Sequence, residues 1–256
     1  MRTFTRHFIV PLALRRKWKS ICEIGASMGG SADELLKLQL DSYTIIDPCF
    51  DQDLQAKYAA DTRVNVLKCN SLDALTSSRM LLPGRLFDVI LIDGDHNWYT
   101  VFNELRLIHE HELLRPGGYI FLHDVDWPYG RRDMYYQPDT IPANFRQPFA
   151  QQGMVRGRRY LSESDGVNRE FMNALEEGGL RNGVLTAVED FVAKHPRNYR
   201  FCWVRFEFGL GILQSRTQQR FSALSFYRQW TKALAWRLFG RQAAALKAAL
   251  TRYSAS

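Results

Sequence analysis

The chain has 256 residues, of which 46% are hydrophobic and 24% are charged, and its formal net charge at pH 7 is +7. This length and composition suit one sizeable domain with a buried core, and they exclude a collagen, a wholly disordered chain and a membrane-embedded helix bundle. No apolar run approaches the roughly 18 residues of a membrane-spanning helix.

The positive charge is confined to the two ends of the sequence. Residues 1–20 hold six Lys or Arg and no acid, residues 216–256 hold eight and no acid, and residues 21–215 carry a net −7. An acidic middle repels a phosphate backbone, so we expect no nucleic-acid partner and assign any peripheral membrane contact to the basic tails.

The N-terminus does not have the pattern of a signal peptide. Its short apolar run is broken by Pro11 and is followed, rather than preceded, by the basic cluster. The four cysteines form no CxxC pair and indicate reduced thiols. We therefore expect a soluble cytoplasmic protein, with the inner membrane surface as the alternative location.

Apolar runs and helical patterns alternate between residues 20 and 125, as in a parallel sheet covered by helices on both faces. Capping residues at 31–34 predict one helix start, and apolar residues at helical spacing predict a second helix from Trp98 that Arg115-Pro116-Gly117-Gly118 ends. A helix at 184–193 precedes two final strands. The predicted strands are 20–25, 43–48, 63–69, 87–93, 119–123, 199–206 and 212–213.

These elements predict an α/β fold with a doubly wound, seven-stranded, mostly parallel sheet. The predicted domain covers residues 20–215, after a basic N-terminal segment at 1–19. Within it, residues 127–181 contain four of the nine prolines and many aromatic residues, which indicates an ordered lid rather than a linker. Residues 216–256 predict a basic helical extension that packs on its own core, on a second copy in a homo-oligomer, or on a membrane.

Glycines and acids stand at the ends of the predicted strands. Residues 23–29 read Glu-Ile-Gly-Ala-Ser-Met-Gly after the first strand, where glycine lets the backbone turn tightly and approach a ligand. Asp47 ends the second strand 22 residues after Gly25, a spacing at which a carboxylate reaches the two hydroxyls of a ribose. Asp93 ends the fourth strand, so the acids converge on the sheet edge where open α/β folds bind ligands.

The combination resembles class I S-adenosylmethionine-dependent methyltransferases over residues 20–213. A dinucleotide-binding enzyme is the rival, but it prefers Gly-x-Gly-x-x-Gly and rarely has an acid at position 23. The resemblance implies that S-adenosylmethionine is the cofactor, with Asp47 on the ribose and residues 70–72 beside the adenine. The cofactor-binding residues that it implies are Glu23, Gly25, Ala26, Ser27, Gly29, Asp47, Asn70, Ser71 and Asp93.

The segments 92–96 and 114–124 are similar to small-molecule O-methyltransferases of macrolide-sugar and cephalosporin-type pathways. That group holds Mg²⁺ with an acid after strand four and an acidic pair after strand five, which implies Asp93 and Asp124 here. The sequence departs at His123, where a carboxylate is usual, and Asp126 is a further oxygen donor. Because imidazole is a poor Mg²⁺ ligand, Mg²⁺, another divalent metal and no metal all stay open.

His96 is the expected catalytic base, since methylation of a hydroxyl requires its proton to leave and an imidazole accepts protons near neutral pH. A helix-capping role for His96 is the alternative. Aromatic stacking faces and arginine anchors in the lid favour a sugar or aromatic acceptor with an anionic group, although a structural flap with solvated arginines is equally consistent. These candidate substrate-binding residues are Trp127, Arg131, Arg132, Tyr135 and Tyr136.

The leading hypothesis is an O-methyltransferase that acts on a hydroxyl of a small molecule, in a glycosyl or phenolic group. One alternative is a non-catalytic, donor-binding module docked to a membrane or partner through its tails. A nucleic-acid methyltransferase is disfavoured, because Asp93-Gly94-Asp95-His96 stands where base-methylating enzymes carry Asn/Asp-Pro-Pro-aromatic.

Overall fold

A computed structural model describes residues 1–50 and 52–216. The predicted C-terminal extension lies outside the described residues, apart from Arg216. No helix among those described has the length and apolarity required to cross a membrane.

The large sheet confirms the predicted α/β fold. Its strand order is β3-β2-β1-β4-β5-β10-β9, in which β1 to β5 run parallel and β10 runs antiparallel to both of its neighbours. These strands are β1 (Ser20–Ile24), β2 (Ser42–Ile46), β3 (Val64–Leu67), β4 (Phe87–Ile92), β5 (Leu114–His123), β9 (Tyr199–Val204) and β10 (Leu210–Ser215).

Helices cover both faces of this sheet, and alternate residues of β5 show the two layers. Ile120 and Leu122 belong to the core beneath the two longest helices, whereas Phe121 packs edge-on against Phe8 of the N-terminal segment. The α-helices are α1 (Arg2–Phe4), α2 (Val10–Arg16), α3 (Gly30–Leu35), α4 (Gln52–Ala59), α5 (Ser71–Thr76), α6 (Ser78–Leu81), α7 (Trp98–Glu110) and α8 (Val184–Lys194).

The N-terminal segment is helical, which the sequence analysis did not predict. A π-helical turn (Thr5–Ile9) joins α1 to α2, and Pro11 is the second residue of α2. The buried residues of this segment pack on the sheet and on α3, and its basic residues face outward.

Two predicted boundaries are wrong. The helix near residue 31 begins at Gly30 after Gly29, and the Ser31 hydroxyl accepts a hydrogen bond from Thr5 instead of capping the helix. The Arg-Pro-Gly-Gly segment at 115–118 does not end α7, which stops at Glu110, but lies within β5, where the register with β4 shifts. The glycines allow this irregularity in the strand.

The lid at 127–181 is ordered around a small antiparallel sheet. Its three strands have the order β6-β8-β7. They are β6 (Met134–Tyr135), β7 (Phe149–Ala150) and β8 (Met172–Ala174).

Asp133 ties the lid to the two core helices. Its Oδ1 accepts hydrogen bonds from the backbone N–H of Trp98, at 2.7 Å, and of Gly183, at 2.6 Å, so it caps the starts of α7 and α8. Its Oδ2 accepts from the Tyr135 hydroxyl at 2.8 Å. A fully buried carboxylate with three donors is a strong local constraint, since any donor left alone would be buried without a partner.

We expect Asp133→Ala to lower the free energy of unfolding by about 2–4 kcal/mol, because it strands these three buried donors. Asp139→Ala is the matched control: Asp139 is exposed and pairs only at the surface with Arg146, so its loss should cost under about 1 kcal/mol. Urea unfolding measures both values, and equal losses for the two variants would contradict the role given to Asp133.

Candidate active site

The strand register brings the predicted site residues to one edge of the sheet. Ile24 of β1 pairs with both Ile46 and Ile92, and Ile92 pairs with Leu122. The residues that follow these four positions therefore stand side by side at the carboxyl ends of their strands. They are Gly25, Asp47, Asp93 and His123.

A cavity of about 490 Å³ opens at this edge. Its floor comes from the loops after β1 to β4, and its outer wall comes from the lid. The volume falls within the usual range for small-molecule sites, about 300–1,000 Å³. The lining residues are Ile24, Gly25, Ser27, Ile46, Asp47, Pro48, Cys49, Asn70, Ser71, Asp93, Gly94, Asp95, Asn97, Tyr135, Tyr136, Gln137, Thr140 and Ile141.

Gly25 permits the loops after β1 and β4 to touch. Its φ is +81°, a conformation that favours glycine, and a Cβ at this position would lie 2.4 Å from the Cα of Gly94. The neighbouring Ser27 donates its backbone N–H to Asp47 Oδ2 at 2.8 Å. Asp47 Oδ1 accepts from the backbone N–H of Cys49, also at 2.8 Å, so this carboxylate is held firmly at the cavity wall.

Glu23, Ala26 and Gly29 support this loop and do not line the cavity. Glu23 is buried and accepts a hydrogen bond from the Tyr43 hydroxyl at 2.5 Å. Burial raises the pKa of Glu23 to about 7. Gly29 adopts a left-handed conformation before α3, and its carbonyl accepts from the Tyr58 hydroxyl.

A second buried carboxyl lies beneath the loop after β3. Asn70 and Ser71 line the cavity, and Glu104 of α7 lies near them with no exposed surface. Neither Glu104 oxygen makes a hydrogen bond of ordinary geometry with a described residue. Burial raises the pKa of Glu104 to about 8, so this side chain is mostly protonated at pH 7.

Four ionisable side chains form a continuous chain of hydrogen bonds where β4 and β5 end. His123 Nδ1 lies 3.1 Å from Asp93 Oδ1 and 2.8 Å from Asp124 Oδ2. His96 Nε2 lies 2.7 Å from the same Asp124 oxygen. We call this chain, Asp93–His123–Asp124–His96, the carboxylate–imidazole chain.

The alternating charges of this chain shift the pKa values in opposite directions. Burial works to lower the pKa of His123, but its hydrogen bonds to Asp124 and Asp93 outweigh burial and raise it to about 9. Burial likewise works to lower the pKa of His96, and attraction to Asp124 leaves it above its usual value. Burial works to raise the pKa of Asp124, yet the two imidazoles hold it well below its usual range. Asp124 is therefore a carboxylate at every physiological pH.

His96 is the last member of the carboxylate–imidazole chain, and one of its ring nitrogens makes no hydrogen bond with a described residue. Its Nδ1 is buried and has no hydrogen-bond partner among the described residues, while Nε2 is held by Asp124. The His96 ring lies behind the cavity wall. Its centre is 5.3 Å from that of the Tyr129 ring and 6.1 Å from that of the Tyr136 ring, and both pairs are edge-on. Such an unpaired buried acceptor costs free energy, which makes it a functional candidate.

The donor set does not fit Mg²⁺. Ligand atoms of Asp93, His96 and Asp124 lie within 4.8 Å of one another, and Asp126 is not part of this group. Mg²⁺ requires oxygen ligands, but the facing oxygens of both aspartates already accept hydrogen bonds from His123 and His96. The Met1 backbone nitrogen lies 3.3 Å from the other Asp93 oxygen.

The predicted substrate-binding residues separate into two groups. Tyr135 and Tyr136 line the cavity, as the sequence analysis expected of substrate contacts, whereas Trp127, Arg131 and Arg132 do not. Trp127 packs in the lid and lies under the Arg156 guanidinium.

The two arginines are engaged by protein groups. Arg131 forms a two-pronged ion pair with Glu189, at 2.6 and 2.8 Å. Arg132 is fully buried and donates to the backbone carbonyls of Ala174 and Arg159. Arg131 therefore joins the lid to α8, and Arg132 joins two segments within the lid.

Several lining residues were missed by the sequence analysis. Asp95 and Asn97 flank His96, and their position after β4 was a usable signal. Cys49, for which the sequence indicated only a reduced thiol, is exposed and lines the cavity. Gln137, Thr140 and Ile141 reach the cavity through the fold of the lid, for which the sequence has no periodic pattern.

The comparison with known proteins agrees with this geometry. Residues 22–125 match the family model described as a methyltransferase domain. This part of the chain is a methyltransferase domain. Together with the strand order, this match supports an S-adenosylmethionine-dependent methyltransferase.

Solved structures share the fold at low sequence identity. The SAH-bound methyltransferase PaMTH1 from Podospora anserina superposes with a TM-score of 0.51 and 17% identity, over 82% of this chain and 77% of that one. A candidate caffeoyl-CoA O-methyltransferase from Staphylococcus aureus superposes with a TM-score of 0.48 and 16% identity, over 83% of both chains. The 1,6-didemethyltoxoflavin-N1-methyltransferase from Burkholderia thailandensis superposes with a TM-score of 0.47 and 12% identity, over 84% of this chain and 81% of that one. No curated protein sequence matches the methyltransferase.

We expect Gly25→Ala to destabilise the methyltransferase by more than about 2 kcal/mol and to weaken binding of S-adenosylhomocysteine at least tenfold, because its Cβ would collide with Gly94. Gly84→Ala is the control: Gly84 has a similar φ of +64° but open space around it, so only the conformational cost of about 1 kcal/mol applies. Urea unfolding and calorimetric titration test both, and an unchanged affinity in Gly25→Ala would contradict this role of the loop.

Glu104→Gln should stabilise the methyltransferase increasingly as the pH rises. The folded pKa of Glu104, about 8, exceeds its usual value of 4.5, so stability present below pH 4.5 is lost as the pH rises towards 8. Glutamine does not titrate, so its advantage should grow by up to about 1.4 kcal/mol per pH unit over this window. Unfolding at pH 5 and pH 8 measures it, with Glu110→Gln at the exposed end of the same helix as control. A pH-independent difference would contradict the raised pKa.

Proposed function

We propose that this methyltransferase transfers a methyl group from S-adenosylmethionine to a hydroxyl of a small-molecule acceptor, with His96 as the base. The observation that carries the proposal is the unpartnered Nδ1 of His96, whose opposite nitrogen is held by Asp124. A base of this kind serves an acceptor that must lose a proton when it is methylated, as a hydroxyl must.

The cavity is the proposed site of the donor. Asp47 is fixed by two backbone N–H groups and has lone pairs left for the ribose hydroxyls. Asn70 and Ser71 line the same cavity and are the proposed adenine contacts. Gly25 and Gly94 both line the cavity, and because neither has a side chain, the amino acid portion of the donor can approach the backbone of the two loops. When bound, S-adenosylmethionine supplies an electrophilic methyl group on a positively charged sulfur.

Asp93 links the donor cavity to the base. Its side chain lines the cavity and also accepts a hydrogen bond from His123, so it belongs to both sites. Its negative charge favours a cationic donor, and the remainder of the carboxylate–imidazole chain positions His96. Proximity and orientation of the acceptor oxygen are then the main sources of rate enhancement.

The proposed step balances without a further reactant. The acceptor oxygen bonds to the methyl carbon as the carbon–sulfur bond breaks, which neutralises the charge on sulfur. The hydroxyl proton passes to His96 Nδ1, while Nε2–H continues to donate to Asp124. The resulting imidazolium is stabilised by the carboxylate and releases its proton to solvent when the product leaves.

The lid indicates which groups contact the acceptor. Tyr136 is 55% exposed, lines the cavity and lies edge-on to His96, so it forms the wall through which an acceptor reaches the base. Tyr and neighbouring aromatic rings bind flat phenolic rings or the apolar faces of sugars. Because Arg131 and Arg132 are engaged elsewhere, we propose a phenolic or glycosyl hydroxyl without the anionic anchor that the sequence suggested.

Incubation with methyl-labelled donor and a panel of phenols and glycosides tests this function, and we expect label on an acceptor oxygen. Calorimetry with S-adenosylhomocysteine separates two failures. Binding without transfer to any acceptor would favour the non-catalytic module, whereas no binding at all would overturn the proposal.

Removal of the base should reduce turnover without loss of donor binding. We expect His96→Gln to lower kcat by roughly 10²–10⁴-fold, the usual contribution of a general base, and Asp124→Asn to lower it in the same direction. The pKa of His96 is raised above 6.5 and the base works when neutral, so wild-type activity should rise with pH in a range above pH 6.5. Asp124→Asn removes the charge that raises this pKa, so its activity should rise at lower pH. His195→Gln, away from the cavity, is the control, and a profile unchanged in Asp124→Asn would contradict the assignment.

A further inference from the structure

We propose that His123 fills the place between Asp93 and Asp124 that a divalent cation would take, so that this methyltransferase aligns its base by hydrogen bonds and works without a bound metal. The inference deepens the proposed function and rests on it. His123 is here a positioning residue, since it acts on His96 through Asp124.

The contacts of His123 Nδ1 place it between the two carboxylates. One N–H is shared by an oxygen of Asp93, at the end of β4, and an oxygen of Asp124, just after β5. A Mg²⁺ ion bound to both would lie about 2.0–2.1 Å from each oxygen. Those positions overlap the volume in which the imidazole N–H stands, so the ion and the ring exclude each other.

Packing holds the imidazole in this place. The ring of Phe4 lies 5.9 Å from the His123 ring and the ring of Phe208 lies 6.2 Å from it, both edge-on. They come from the N-terminal helix and from the turn between β9 and β10. His123 is 11% exposed, so a rotation away from the carboxylates would have to displace one of these neighbours.

The consequence for His96 follows from a shared acceptor. Asp124 Oδ2 accepts from both His123 Nδ1 and His96 Nε2, which fixes the oxygen and selects the His96 tautomer with Nδ1 unprotonated. A cation on this oxygen would compete with the bond to His96 for the same lone pairs. His123 holds Asp124 in this way whether its own imidazole is neutral or protonated, because the Nδ1–H donor is present in both forms.

The decisive comparison is between the wild type, His123→Asp and His123→Asn. His123→Asp leaves three carboxylates together with no bridging donor, a set that binds divalent cations. His123→Asn keeps an N–H donor of smaller size. His111→Asp, a change of the same type at the C-cap of α7, where His111 contacts Ser78 outside the cavity lining, controls for the added charge.

Mn²⁺ binding, measured by electron paramagnetic resonance, is the first readout and requires no acceptor. We expect no stoichiometric Mn²⁺ on the wild type, His123→Asn or His111→Asp, and one Mn²⁺ per chain on His123→Asp. Methyl transfer is the second readout: the wild type should keep its rate in EDTA, whereas His123→Asp should lose on the order of 10–100-fold and recover with Mg²⁺.

Stoichiometric Mn²⁺ on the wild type, or loss of its activity in EDTA, would overturn the inference. A folded His123→Asp variant that binds no Mn²⁺ would also overturn it, because the position between Asp93 and Asp124 would then be unable to hold a cation even without the imidazole. If His123→Asp does not fold, wild-type Mn²⁺ binding and His123→Asn decide alone. S-adenosylhomocysteine binding by every variant distinguishes these results from a failure of the proposed function.

Discussion

Two carboxylates and two imidazoles, buried or half-buried, lie together where β4 and β5 end, and each acid contacts an imidazole. A single buried carboxylate such as Asp124 would be expensive to remove from water, and two adjacent carboxylates would repel each other. Alternation of acid and imidazole removes both penalties. The N-terminal helix packs on His123 through Phe4, and the lid packs on His96 through Tyr129 and Tyr136.

The parallel sheet is what brings these groups to the donor cavity. Because β1, β2, β4 and β5 are neighbours in register, the residues after them form one row, and a residue of that row serves two sites at once. Asp93 is that residue, facing the cavity on one side and His123 on the other. The chemistry of the acceptor is thereby coupled to the position of the donor through one short side chain.

The lid closes the opposite side and is tied to the same helices. Asp133 anchors β6 to the starts of α7 and α8, and β6 is followed at once by Tyr136 at the cavity wall. The start of α7 lies two residues after His96. One buried carboxylate outside the cavity lining thus joins the helix that follows the base to the lid and its cavity wall.

The sheet was predictable because central parallel strands are apolar on both faces, and the run at 87–93 has this pattern between turn residues. The glycine loop and Asp47 were predictable because their spacing is set by the strand–turn–helix unit. The N-terminal helix was missed, since Pro11 suggests a break but stands where a helix tolerates it. The capping pattern at 31–34 failed because tertiary packing gave Ser31 another partner.

The chemistry of the site was only partly predictable. Sequence showed that position 123 departs from a carboxylate but not that its ring would lie between Asp93 and Asp124, because strand order does not fix side-chain direction. Arg131 and Arg132 looked alike in sequence, yet one pairs with Glu189 and the other is fully buried. Their partners are distant in the chain and have no local signature.

The tautomer of His96 tests the account most directly, because the base assignment and the role of His123 both depend on it. Nitrogen-15 NMR of imidazole-labelled protein, at a pH where His96 is neutral, reports which ring nitrogen carries the proton. The account predicts a proton on Nε2 and an unprotonated Nδ1. A proton on Nδ1 would contradict it, because the lone pair of His96 would then lie on Nε2, which faces Asp124 and not the acceptor.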